Sequence, residues 1–165
     1  MDWNVMRLEL GDDMMALDIR SAEINDIPVL CALMTQLTGH TVSADTMANR
    51  LKFVAESPYD ALYVCHENGM ILGCLAFRIR ENIEDASRYG EISALVVDDE
   101  ARRKGVGRFL VDYAEGLARQ LGCIGTWLVS GFGREEEAHH FYKSIGYEVT
   151  GYRFVKRHSP CSDHG

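Results

Sequence analysis

EISALVVDDEARRKGVGRFLVDYAEGLARQLG, residues 91–122, joins three local signals without a break. Tyr89 to Val97 is rich in apolar and β-branched residues and reads as a strand. Val106, Phe109, Leu110, Tyr113, Ala114, Leu117, Ala118 and Leu121 recur three and four residues apart. That spacing predicts one long amphipathic helix, stopped at Gly122. Between strand and helix, Gly105 and Gly107 flank Val106, among Arg102, Arg103, Lys104 and Arg108. The first N–H groups of a helix have no intrahelical partners and carry partial positive charge. Glycines let a ligand approach that backbone closely, and a pyrophosphate is a natural guest. The competing reading is a solvated basic loop that ends in a glycine-containing turn. The stretch is not a Walker loop, because GxxxxGK[ST] is absent, and it does not follow the order GxGxxG.

Upstream, Leu17 to Ser21 reads as a short strand. Asn25 or Asp26 is expected to cap a helix that has Pro28 in its first turn and Gly39 after its end. Ile27, Leu30, Leu33, Met34 and Leu37 give that helix its apolar face. A second helix is expected near Ser43, with Met47, Leu51 and Val54 on one face. Two strands, 61–67 and 70–80, are joined through Asn68-Gly69, a tight-hairpin signal. Downstream, 125–131 reads as a strand. Glu135 to Ile145 reads as a short helix with Ala138, Phe141, Tyr142 and Ile145 inward, and 147–157 as one or two final strands. The order is β, α, α, three antiparallel-type strands, then α, β, α, β. That is a mixed α/β sheet and not the regular alternation of a dinucleotide-binding fold.

The chain has 165 residues, enough for one domain with a substantial core. Residues 1–16 are read as an N-terminal extension, 17–157 as the domain and 158–165 as a disordered tail. No apolar run is long enough to cross a bilayer, and the acidic start MDWNVMRLELGDDMM lacks the features of a secretion signal. Net charge is −8, which argues against a nucleic-acid binder and is compatible with a cationic substrate. The five cysteines are odd in number, widely spaced and without CxxC, which fits reduced thiols and a cytoplasmic location. Cys161 and His164 are too few to make a metal site, and adjacent His139 and His140 point in different directions on a helix. No metal is expected.

Strand, then Arg102-x-x-Gly105-x-Gly107, then amphipathic helix resembles the acetyl-CoA-binding motif Q/R-x-x-G-x-G/A of the GNAT superfamily of N-acetyltransferases. The element order looks similar as well. The resemblance spans roughly Leu17 to Arg157 and is most specific from Gly90 to Gly146. It implies the acyl-CoA N-acyltransferase fold: a mixed, mostly antiparallel sheet splayed at its fourth strand and flanked by helices. It implies acetyl-CoA as co-substrate and direct attack by an amine.

The resemblance also assigns residues. Leu95, Val96 and Val97 would offer free backbone groups to the pantetheine arm; the alternative is a plain buried strand. The main-chain N–H groups from Arg103 through Lys104, Gly105, Val106 and Gly107 to Arg108 would hold the pyrophosphate, with Arg102 opening the motif. Glu91, eleven residues before Arg102, falls where histone-type relatives carry their general base. Its alternative is a surface glutamate or a group that binds substrate charge. Tyr142, in AHHFYKSIGY, falls where relatives carry a tyrosine that protonates the departing thiolate. Its alternative is a core aromatic, a part that Phe141 fills better. Relatives often have an asparagine where this chain has Glu135, so Arg134 and Glu135 are the coenzyme contacts expected from this helix.

The function implied is acetyl transfer to a primary amine, most simply a small molecule, by an enzyme that relatives suggest is a homodimer. RYGEISALVV and AHHFYKSIGY are similar to segments of aminoalkylphosphonate and aminoglycoside N-acetyltransferases. A protein N-acetyltransferase and a non-catalytic CoA-binding module are the alternatives. Glu91 and Tyr142 favour the enzyme.

Overall fold

The computed structural model describes residues 16–130 and 135–158. In chain order the elements are β1 (Asp18–Ser21), α1 (Ile27–Thr38), α2 (Ala44–Glu56), β2 (Asp60–Glu67), β3 (Met70–Glu81), β4 (Arg88–Val97), α3 (Val106–Gln120), β5 (Thr126–Leu128) and α4 (His140–Ser144). A short 3-10 turn precedes α1, and a π-helical turn, Glu135–His139, leads into α4. Two compact units result, Met1–Leu128 and Val129–Gly165.

The first unit is built on a five-stranded sheet in the order β1-β2-β3-β4-β5. Neighbours from β1 to β4 are antiparallel, and β5 runs parallel to β4. The β2–β3 hairpin turns through Asn68 and Gly69, both at positive φ, which is the reason for the Asn-Gly pair. One sheet face receives α1 and α2: Leu30, Leu33 and Met47 pack with Leu62, Val64, Cys74 and Val96. On the other face, a Cβ on Gly73 would meet Val106 and Leu110, and one on Gly90 would meet Phe77 and Ala118. Val106, Leu110, Val111, Ala114, Leu117 and Ala118 form the buried side of α3. Burying each large aliphatic side chain contributes roughly 1.5–3 kcal/mol.

The first helix starts differently from expectation. Asp26 does not cap α1 with its side chain. Its two carboxylate oxygens instead accept from Arg20 Nη1 and Nη2 at 2.7 and 2.8 Å, and Oδ2 also accepts from the Glu23 N–H. A fixed guanidinium fork outcompetes a single backbone donor. Ser43 caps α2 as expected, accepting from Thr46 N–H.

Three further expectations change. Val111 is fully buried, although it lies outside the three-and-four pattern read for α3, because the sheet covers a wider arc than that stripe. The strand expected over 125–131 is limited to Thr126–Leu128. Residues 147–158 form no strand, although a strand or two was expected there. Alternating side chains specify a strand only where a neighbour takes up the backbone groups, and Val149, Tyr152 and Phe154 are left exposed. The 1–16 extension (apart from Ala16) and most of the 158–165 tail lie outside the described residues.

Candidate active site

The site begins with one extra residue. Phe77 pairs with Ile92, and the next β3 residue, Ala76, pairs with Ala94. Ser93 is therefore a β-bulge, exposed, with its hydroxyl donating to the Ala76 carbonyl at 3.2 Å. A bulge shifts the alternation by one. Before it, Gly90 turns its N–H to β5, donating to the Gly125 carbonyl at 2.9 Å. After it, Asp98 N–H donates to Leu72 at 2.8 Å, so Val96 and Ala94 also turn their backbone groups to β3. The groups that face away from β3 are those of Leu95 and Val97. The β4–β5 ladder covers Gly90–Ile92 only, so among the described residues that edge has no strand beside it. Val96 thus differs from its two neighbours: its backbone pairs with Cys74 and its side chain is buried in the α1–α2 core.

The free edge leads directly into the glycine turn. Asp98 accepts from the Glu100 N–H and from Gln36 of α1, which ties the loop down at its start. Arg103 has φ 62° and Gly105 φ 84°, both left-handed. Gly105 caps α3, and the first helical bond runs from Phe109 N–H to the Gly105 carbonyl at 3.0 Å. The N–H groups of Val106, Gly107 and Arg108 have no hydrogen-bond partner among the described residues. A Cβ on Gly105 would meet no atom within 4 Å, so the turn demands its dihedral and not its lack of bulk. Arg102 is paired with Asp99 at 2.8 Å and Arg108 with Asp112 at 2.8 Å. Arg103 and Lys104 are exposed.

Glu91 precedes the bulge and points to the opposite face from Ile92. It lies in a row across four strands: Asp60 opposite Arg78, Arg78 opposite Glu91, Glu91 beside Trp127. Its carboxylate accepts from Arg80 Nε, and its side chain is 14% exposed. Asp60 is similarly sheltered and accepts from Arg78 Nε and from the Ser57 hydroxyl. Burial pushes the Asp60 carboxyl up, but the bonds from Ser57 and Arg78 and the nearby guanidiniums outweigh it and hold it below the ordinary range. Sequence reasoning missed Arg78 and Arg80. Their signal was available: two cations spaced by two in the apolar run MILGCLAFRIR must share one face of the strand.

A strand with a bulge, a free edge, and a left-handed glycine turn whose N–H groups open a helix form one continuous feature. Residues 29–147 match the Acetyltransferase (GNAT) family. The chain belongs to this family. GNAT members use acetyl-CoA as acetyl donor, and this chain is an acetyltransferase by that membership. It is 31% identical over 147 residues to the aminoalkylphosphonate N-acetyltransferase of Salmonella typhimurium, covering 88% of this chain and 94% of that one. A GNAT family acetyltransferase of Staphylococcus aureus superposes with TM-score 0.73 at 25% identity, over 87% of this chain and 99% of that one. An aminoglycoside N-acetyltransferase crystallised with CoA shares the fold, with TM-score 0.76 at 17% identity over 92% of this chain and all of that one.

The remaining expected GNAT residues lie in the second unit. Tyr142 sits on α4, half-buried, its ring edge-on to Phe141 at 5.2 Å and to Tyr147 at 5.8 Å between centroids. The Tyr147 N–H closes the helix end by donating to the Tyr142 carbonyl at 3.0 Å. Phe141, like Tyr142, is partly buried. Arg134 lies outside the described residues, and Glu135 opens the π-helical turn, its side chain outside the description.

Proposed function

We propose that this protein transfers the acetyl group of acetyl-CoA to a primary amine of a small molecule, without a covalent enzyme intermediate. The observation that carries this reading is the bulge at Ser93 followed by the outward backbone of Leu95 and Val97. Such an edge pairs with an amide-bearing arm as it would with a strand. The N–H groups of Val106, Gly107 and Arg108, at the helix's positive end, suit the pyrophosphate. A backbone N–H of the same edge stabilises the oxyanion. The amine nitrogen attacks the thioester carbonyl, a C–N bond forms and the C–S bond breaks with its electron pair on sulfur. Glu91 receives the ammonium proton, directly or through water, and Tyr142 returns a proton to the thiolate. The Glu91–Arg80 ion pair orients the carboxylate. The small amine is favoured by the relative from Salmonella, whose name gives an aminoalkylphosphonate as its substrate.

The test has two arms. Saturating acetyl-CoA should stabilise the protein against heat, by about 2.7 kcal/mol at a hundredfold excess over Kd. Gly105→Asp, which sets a carboxylate against the phosphates, should abolish that stabilisation. Thiol release should then follow addition of a primary amine from a panel. No stabilisation of the wild type by acetyl-CoA would refute the reading.

A further inference from the structure

The partly buried ion pairs of the sheet are of two kinds. Arg20 grips Asp26 with both Nη atoms, and the carboxylate also takes the Glu23 N–H, so neither Nη is left open. Arg78 and Arg80 do otherwise. Each binds its carboxylate, Asp60 or Glu91, through Nε alone. Their four Nη atoms have no partner among the described residues. The side chains of Arg78 and Arg80 are 32% and 49% exposed, while those of the two carboxylates are 13% and 14% exposed. The carboxylates thus anchor the guanidiniums from below and leave their forks toward solvent. Both guanidiniums lie on the sheet face that carries Glu91, at successive positions of that face on β3.

We propose that Arg78 and Arg80 recognise an acid group on the acceptor, so that the amine acetylated here also bears a carboxylate or phosphonate. This rests on the acetyltransfer reading and adds to it the acceptor's second functional group and the residues that select it. A guanidinium with two open Nη atoms matches two oxygens of one anion in parallel bonds, and Nε held by a carboxylate fixes the fork's plane in advance. The charge balance fits a zwitterion, as an amino carboxylate or a singly ionised aminophosphonate is. Two guanidiniums and two carboxylates sum to zero, so a neutral acceptor with its ammonium at Glu91 and its anion at the forks leaves the row neutral. An amine lacking the acid leaves the forks to water and gains nothing from them.

The experiment compares β-alanine and 2-aminoethylphosphonate with n-propylamine and ethanolamine, in the wild type, Arg78→Gln and Arg80→Gln. Thiol release gives kcat/KM, calorimetry with CoA present gives binding, and the two anionic amines separate carboxylate from phosphonate recognition. The wild type is expected to favour at least one anionic amine by about tenfold or more, the scale of a bond between charged groups. The preference should fall to about threefold or less in each variant, while CoA affinity is retained. Equal use of neutral amines by the wild type overturns the proposal, as does a preference that survives both substitutions. The wild-type comparison needs no variant to fold. If acetyl-CoA binds and no amine is turned over, the acetyltransfer reading fails instead. Calorimetry then decides: anionic amines bound by the wild type and lost in the variants uphold the arginine site, and no binding overturns it.

Discussion

At Gly105, φ of 84° makes glycine the residue that costs least; the position starts α3, and in the proposed function it also gives the coenzyme its approach. Glu91 illustrates how a neighbour the sequence reading overlooked changes a role. Its carboxylate is already engaged by Arg80, so in the proposed mechanism a proton taken from an ammonium would enter an existing ion pair. Tyr142 has a proposed role that a single substitution tests. Tyr142→Phe keeps the ring that meets Phe141 and Tyr147 edge-on and removes only the hydroxyl. It should lower kcat about a hundredfold and leave acetyl-CoA affinity within about twofold, the scale of a lost general acid. Steady-state kinetics with parallel calorimetry check this; unchanged kcat returns the residue to packing.

Among elements, β4 carries most of the design. Its single bulge lets Glu91 face the α1–α2 side, keeps Val96 in the core of that side, and gives Leu95 and Val97 an open edge. Its start is fixed by close packing to α3. A Cβ at Gly90 would lie 2.7 Å from the Phe77 ring and 3.0 Å from Ala118. Gly90→Val should therefore destabilise the fold by about 3 kcal/mol, the upper range for overpacking, seen as a lower urea midpoint. A midpoint equal to wild type would mean that β4 can move away from α3. The position of the strand, the glycine turn and the helix was legible because each is a local pattern of its own. Where that strand bulges was not, because Ser93 is ordinary in a strand and only its mismatch with β3 reveals the place.

For the whole first unit, the Arg20–Asp26 pair links β1 to the entry of α1. Asp26 is 5% exposed, and the Arg20 bond, opposed by burial and helped by the Glu23 N–H, holds its carboxyl below the ordinary range. A carboxyl lowered by folding stabilises fully above its unfolded value of about 4, and that contribution fades as pH falls through the folded value. Asp26→Asn should cost about 3 kcal/mol at pH 7, the scale of a buried pair with one partner removed. The gap to wild type should narrow steadily below about pH 4. Urea unfolding at several pH values measures it; a gap independent of pH would assign the loss to packing.

What the sequence by itself determined is what depends on near neighbours in the chain: the α3 stripe, the Asn68-Gly69 turn, the Ser43 cap and the Gly105 turn. Each follows from steric or hydrogen-bonding rules that act over a few residues. The tertiary structure alone decided which partners those pieces found. It moved the Asp26 side chain from a cap to Arg20, and it set Arg78 beside Asp60 and Arg80 beside Glu91. It left 147–158 without a strand and turned Leu95 and Val97, but not Val96, to the open edge of β4. The reason is that ladders and ion pairs are satisfied by groups far apart in sequence, and one inserted residue in β4 reverses which side each later group faces.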